Sequence, residues 1–113
     1  MMKRGDIFYA NLSPTIGSEV AKTRPVLIVS NDINNRVAST VTVLPITSKV
    51  TKVYPFEVFI SKGDSGLSQD SKIQAQQVRT ISKERLRGDV VGTLSGELMN
   101  LVNLALNLHL GLG

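Results

Sequence analysis

Hydrophobic and polar positions along this 113-residue chain fall into short blocks, most of them strand-like. Asp6-Ile7-Phe8-Tyr9-Ala10-Asn11 is rich in strand formers and ends near Ser13-Pro14, where proline removes a ladder donor, so it predicts a first strand over 6–11. From 13 to 23 no period is sustained, and Pro14, Gly17 and small polar residues predict an exposed loop. Pro25-Val26-Leu27-Ile28-Val29-Ser30 is an unbroken apolar run with β-branched residues, the pattern of a strand covered on both faces. Asn31-Asp32 and Asn34-Asn35 supply turn chemistry after it. Residues 40–47 alternate until Pro45, which predicts a third strand with a bend or bulge at the proline. A fourth strand is expected at 56–60 and a loop at 62–66.

The second half is more polar. If 71–81 stays extended, Ile73, Ala75, Gln77, Arg79 and Ile81 share one face, and a strand with so many polar side chains lines something wet. Ser82 as a cap and Gly88 as a stop predict one or two helical turns between them, with a short final strand over 89–94. Ser95 then caps a helix on which Asn100, Asn103 and Asn107 share one face. Leu98, Leu101, Val102, Ala105, Leu106 and Leu108 cover a wider arc than one core requires. Either that helix lies deep in its own fold or it is buried on two sides, which implies a dimer. The sum of elements is mainly β: a compact, strongly bent antiparallel sheet or a small barrel, with a short helix and a C-terminal helix, in one domain spanning 1–113.

Composition narrows the chemistry. A chain of this length buries roughly two-thirds of the surface its unfolded form exposes, so packing alone can sustain a core. The absence of cysteine excludes disulfides, thiol catalysis and thiolate metal sites, and a single histidine excludes a multi-histidine metal site within one chain. No metal or cofactor is expected. No stretch approaches the roughly 20 apolar residues of a membrane span, and 7–10 is too short for a signal-peptide core, so a cytoplasmic location is the default. Residues 1–89 carry all 13 basic and 8 of the 9 acidic groups, a net of +5, whereas Glu97 is the only charge after them. The basic part would face an anion, unless it is an ordinary solvated surface.

Within that small inventory, Arg24 stands where the loop enters the most buried strand, as an anion clamp or a plain surface arginine. Thr47 and Ser48 close the third strand, where hydroxyls either bond a phosphate or cap the chain. His109 has no carboxylate at helical spacing and is assigned no chemistry.

Arg4-Gly5-Asp6-Ile7-Phe8-Tyr9-Ala10-Asn11-Leu12-Ser13-Pro14, then Gly17-Ser18-Glu19, then Thr23-Arg24-Pro25-Val26-Leu27-Ile28-Val29-Ser30-Asn31-Asp32, resemble the MazF/PemK family of toxin endoribonucleases. Pro45-Ile46-Thr47-Ser48, Gly66-Leu67, Asp70-Ser71, Gln77-Val78-Arg79-Thr80-Ile81 and Arg85-Leu86 continue the likeness in the same order, over nearly the whole chain.

The resemblance implies an SH3-like barrel with a C-terminal helix, a homodimer, for which the wide apolar arc makes that helix the expected contact, and metal-free, sequence-selective cleavage of single-stranded RNA. It also implies a cognate antitoxin with an acidic segment in the RNA groove. Arg24 and Thr47 match the family's catalytic pair. A guanidinium stays charged and is a poor base, so Arg24 would stabilise the phosphorane while Thr47 holds the scissile phosphate. Gln77 and Ser71 match base-contacting positions, and Ser18 and Glu19 lie on the loop that would close over RNA. Ser48 and Gln76, beside Thr47 and Gln77, complete the expected contact set. Where some PemK-like members carry an Arg and an Asp proposed as acid and base, this chain has Gln74 and Gln76, which leaves the general base unassigned. A rival reading from the same fold is a CcdB-like toxin that binds a protein such as DNA gyrase and cleaves nothing.

Overall fold

The structure, a computed structural model, describes residues 2–113. Its strands are β1 (Asp6–Asn11), β2 (Thr23–Ile28), β3 (Thr40–Thr47), β4 (Glu57–Ile60), β5 (Ser71–Gln74), β6 (Arg79–Ser82) and β7 (Leu86–Thr93). Helices α1 (Asp32–Val37), α2 (Lys62–Ser65) and α3 (Gly96–Leu110) complete the chain. All described strand pairs are antiparallel, in the order β4-β5-β3-β2-β1-β7, with β6 on β3. The mainly β class is as expected. Among the described residues no ladder joins β6 or β7 to a further strand, so the barrel is an open, barrel-like sheet.

Strand β2 is covered on both faces, as its unbroken apolar run implies. Leu27 packs with Ile7, Leu44, Ile46, Ile73, Met99 and Val102 beneath α3. Val26 and Ile28 enter a second cluster with Ala10, Leu12, Val41, Val43 and Ile81. All three are fully buried, each contributing about 1.5–3 kcal/mol by area burial. β1 and β3 divide their side chains between the same two clusters, so three neighbouring strands form the wall between them. Pro45 does not interrupt β3, because β3 passes through it to Thr47 and pairs it with Val26.

Four local expectations change. The Asn-rich stretch after β2 is a helix rather than a turn: Asn31 accepts from the Asn34 N–H at 2.8 Å and caps α1. The loop expected at 62–66 contains the single turn α2, capped by the Ser61 hydroxyl and closed by Gly66 in the left-handed region. A Cβ at Gly92 would collide with the Ser65 carbonyl, so α2 can lie against β7 only because that position is glycine.

The extended segment expected over 71–81 is two strands on one edge of β3, separated by a 3-10 turn over Ala75–Gln77. Gln76 and Gln77 turn there toward separate partners, Glu57 and the 13–22 loop, which a continuous ladder would not allow. The helical turns expected between Ser82 and Gly88 reduce to a 3-10 turn at Lys83–Arg85. Gly88 is no helix stop; it lies inside β7 at φ 72°, where the β1–β7 register slips.

The Ser95 cap is present, its hydroxyl accepting from the Leu98 N–H at 3.2 Å. One face of α3 is buried through Met99, Val102 and Ala105, and Asn103 receives the Arg4 guanidinium at 2.5 Å. Its other apolar face is bare: Leu101, Leu104 and Leu108 are 49%, 64% and 57% exposed and border a groove with Pro55, Val58 and Phe59. Burial inside its own fold therefore covers only one of the two sides that the wide apolar arc presents.

Candidate active site

Arg24 lies one residue inside β2, opposite Ala10, at the point where the 13–22 loop returns to the sheet. The next residues of β2 are the buried run, so the backbone beneath Arg24 is held from both sides. The side chain is half-buried, and its Nε donates to the Ala21 carbonyl at 3.3 Å. Among the described residues that is its one protein acceptor, which leaves the outer guanidinium edge available.

That edge borders a cavity of about 180 Å³. Arg24 and Thr23 line it from β2, Tyr9 from β1, Ile46 and Ser48 from the end of β3, and Leu67, Ser68, Gln69 and Ser71 from the segment between α2 and β5. Three expected site residues, Arg24, Ser48 and Ser71, thus meet from separate parts of the chain. The Ser71 hydroxyl donates to the Gln69 carbonyl at 3.0 Å, tying the far wall to itself. Thr47 stands between the lining residues Ile46 and Ser48 but does not itself border the cavity. Its hydroxyl accepts the Lys49 N–H at 3.3 Å.

The other expected residues lie elsewhere. Ser18 and Glu19 are exposed on the 13–22 loop, and a Glu19 carboxylate oxygen accepts the Ile16 N–H at 2.6 Å. Gln77 spends both ends of its amide on that loop, donating to the Ser18 carbonyl at 3.3 Å and accepting from the Val20 N–H at 3.4 Å. Gln76 points to a different network, donating to Glu57 at 2.7 Å, while its own Oε1 is buried without a partner among the described residues.

Glu57 and Lys72 form that network's ion pair at 2.9 Å, with side chains 1% and 10% exposed. Lys72 also donates to the Lys52 carbonyl at 2.7 Å. Burial alone would raise the Glu57 pKa. The Tyr54 N–H, the Lys72 and Gln76 hydrogen bonds and the Lys72 charge outweigh it, and the carboxyl is held below its ordinary value of 4.5. Among the described residues no three His, Cys, Asp or Glu side chains gather as a metal-binding group.

Residues 3–110 match the sequence model of the PemK-like, MazF-like toxins of type II toxin-antitoxin systems. The chain belongs to this family. The MazF-like chain is 44% identical over 117 residues to the endoribonuclease MazF9 of Mycobacterium tuberculosis (strain ATCC 25618 / H37Rv), covering 99% of this chain and 98% of that protein. It is 42% identical over 113 residues to the endoribonuclease EndoA of Bacillus subtilis (strain 168), covering 99% and 97%. Its fold is similar to a crystal structure of MazF from Deinococcus radiodurans, with a TM-score of 0.84 at 25% identity over 98% of this chain and 97% of that one. A mycobacterial endoribonuclease in complex with its cognate antitoxin gives a TM-score of 0.81 at 28% identity, covering 100% and 98%. None of these findings supports the gyrase-binding reading.

Sequence reasoning overlooked part of this MazF-like site. Tyr9 reads as strand core, yet it is 39% exposed and lines the cavity; by strand period it shares the face of the buried Ile7, so alternation gives no signal for it. Ser68 and Gln69 carry no local signal.

The lowered Glu57 pKa fixes a pH dependence. The carboxylate's contribution is complete above its ordinary pKa and is lost as pH falls through the lower, folded value. Denaturant unfolding is expected to show stability declining below about pH 4.5, and Glu57→Gln, less stable at pH 7 because Lys72 loses its partner, is expected to decline less steeply. Equal acid slopes for the two proteins would contradict this.

Proposed function

We propose that this chain is the toxin of a type II toxin-antitoxin pair and cleaves single-stranded RNA through the substrate's own 2′-hydroxyl. The observation that carries the reading is the half-buried Arg24, its outer guanidinium edge uncommitted, bordering a cavity it shares with Ser48 and Ser71. The family and the endoribonuclease relatives support a toxin that cleaves RNA.

In this reaction the 2′-oxygen forms a bond to phosphorus, the bond to the 5′-oxygen breaks, and the products are a 2′,3′-cyclic phosphate and a 5′-hydroxyl. The 2′-hydroxyl gives up one proton and the leaving oxygen gains one. The nucleophile comes from the substrate, so the protein needs no thiol, activated serine or metal. Its task is to orient the phosphate and stabilise charge that develops on it. A guanidinium presents fixed donors to phosphate oxygens and remains charged throughout. Thr47 and Ser48 add hydroxyls at the end of β3. Gln77, Ser71, Ser18 and Glu19 would meet the bases, and base contact by Gln77 requires it to release the 13–22 loop. Gln76 is committed to Glu57 and is the least available of the expected contacts.

The antitoxin complex of the mycobacterial neighbour supports a cognate antitoxin here, and an acidic segment of it would compete with RNA for the cavity that Arg24 borders. A cytoplasmic location, where messenger RNA is found, accompanies this reading; no described helix is long and apolar enough to cross a membrane. The bare Leu101, Leu104 and Leu108 support a homodimer built on α3, with each protomer acting as one domain.

Purified protein in EDTA is expected to cut RNA oligonucleotides but not the same sequences with 2′-deoxy substitution at the cleaved position. Arg24→Ala is expected to lower the rate roughly 10²- to 10³-fold, as removal of a preorganised charge donor does elsewhere. Cleavage at deoxy positions, or an unaffected Arg24→Ala rate, would contradict the assignment. In sedimentation, wild type is expected as a dimer and Leu101→Asp as a monomer or unfolded chain; a folded Leu101→Asp dimer would refute the helix interface.

A further inference from the structure

We propose that Arg85 is a positioning residue for RNA binding, one that never touches the RNA and acts by holding the stem of the 13–22 loop. The proposal rests on the ribonuclease reading above.

The loop leaves β1 at Asn11 and returns to β2 at Thr23. At its exit the chain peels away from the sheet, and three consecutive carbonyls, those of Asn11, Leu12 and Ser13, are each taken by an arginine. Arg85 Nη1 donates to Asn11 at 3.1 Å and to Ser13 at 2.6 Å, while Arg79 Nη1 donates to Leu12 at 3.1 Å. On the returning limb the Lys22 N–H donates to the Ser13 hydroxyl at 2.8 Å, and Lys22 itself sits at φ 69°, a conformation side-chain-bearing residues seldom adopt without restraint. The Leu12 N–H donates to the Lys22 carbonyl at 2.9 Å and closes the stem.

Both arginines are half-buried, and the ion pair Lys72–Glu57 is the one formed among the described residues. The Arg79 and Arg85 charges are therefore met by backbone carbonyls, in hydrogen bonds that a charged donor makes stronger than neutral ones. Arg85 grips two of the three carbonyls, including that of Ser13, where the irregular loop begins. Among the described residues, Ser18 and Glu19 at the far end have the Gln77 amide and the Ile16 turn alone to orient them. Removing Arg85 frees the outgoing limb at Ser13, and the far end follows. The Arg24 backbone remains fixed, because β2 pairs with β1 and β3, and its Ala21 acceptor lies on the returning limb beside Lys22, whose carbonyl still takes the Leu12 N–H. Loss of Arg85 should thus impair binding and leave the chemical step nearly intact.

The test compares wild type, Arg85→Ala, Arg85→Lys and Arg79→Ala. Cleavage kinetics are followed on a cleavable oligonucleotide, and binding of its 2′-deoxy analogue is measured across salt concentrations. For Arg85→Ala, KM and the analogue Kd are expected to rise about tenfold while kcat stays within about threefold. The slope of log affinity against log salt is expected to be unchanged, because no phosphate contact is lost. Arg85→Lys and Arg79→Ala are expected to fall between wild type and Arg85→Ala, and they carry the test if Arg85→Ala does not fold. A salt slope reduced by about one would make Arg85 a direct phosphate contact and overturn the proposal, as would unchanged KM in all three variants. Amide hydrogen exchange over 13–22 in the free protein separates the clamp from the reaction: faster exchange in the Arg85 variants is expected, and exchange equal to wild type overturns the clamp. A wild type that cleaves no RNA would overturn the ribonuclease reading alone, with exchange still deciding the clamp.

Discussion

Everything in this fold is organised about the inner half of β2, Val26 to Ile28, which has no solvent-facing side. Leu27 faces one hydrophobic cluster while Val26 and Ile28 face another, and all three are fully buried. A strand clamped in this way cannot slip by one residue, since a slip would send every side chain into the wrong cluster. Arg24 and Thr23 inherit that rigidity as the first residues of the strand. The backbone under Arg24 is thereby held whatever the farther loops do, and the Ala21 carbonyl anchors the side chain above it, the arrangement that transition-state stabilisation by a fixed charge requires.

The positive charge of the chain plays two roles that composition merges. Arg4, Arg79, Arg85, Arg87, Lys72 and Lys83 each donate to a main-chain carbonyl, so much of the basic surplus serves as internal staples. The net of +5 over 1–89 therefore overstates how much charge faces an anion. Arg24 is different because a single Nε bond to Ala21 anchors it while its outer edge stays open on the cavity. Within one protein, what separates a structural arginine from a functional one is which donors remain unspent.

The parts of the fold governed by local rules were legible in the sequence. The first strand, the double-sided β2, the Ser95 cap and the wide apolar arc of α3 follow from periodicity and capping, and the structure contains them. Where side chains choose partners distant in sequence, legibility ended. Gln76 bonding Glu57 and Gln77 bonding the 13–22 loop break the strand expected over 71–81, and no pattern within that segment reveals those partners. Asn31–Asn35 illustrates a closer competition, since the residues that favour turns also make N-caps, and here the cap prevails. At the site, family resemblance supplied Arg24, Ser48 and Ser71, but the cavity's Tyr9, Ser68 and Gln69 became visible only once β1, β2 and the segment before β5 were brought together.

In the proposed reaction the RNA supplies its own nucleophile while Arg24 supplies the charge. Mass spectrometry of fragments from a single-site oligonucleotide, cut by the purified chain in EDTA, examines that claim at the reacting atoms. Attack by the ribose leaves a 2′,3′-cyclic phosphate on the upstream fragment and a 5′-hydroxyl on the downstream one, and these ends are expected. A 3′-hydroxyl paired with a 5′-phosphate would mean that water, not the ribose, attacked phosphorus, and would contradict the proposed reaction.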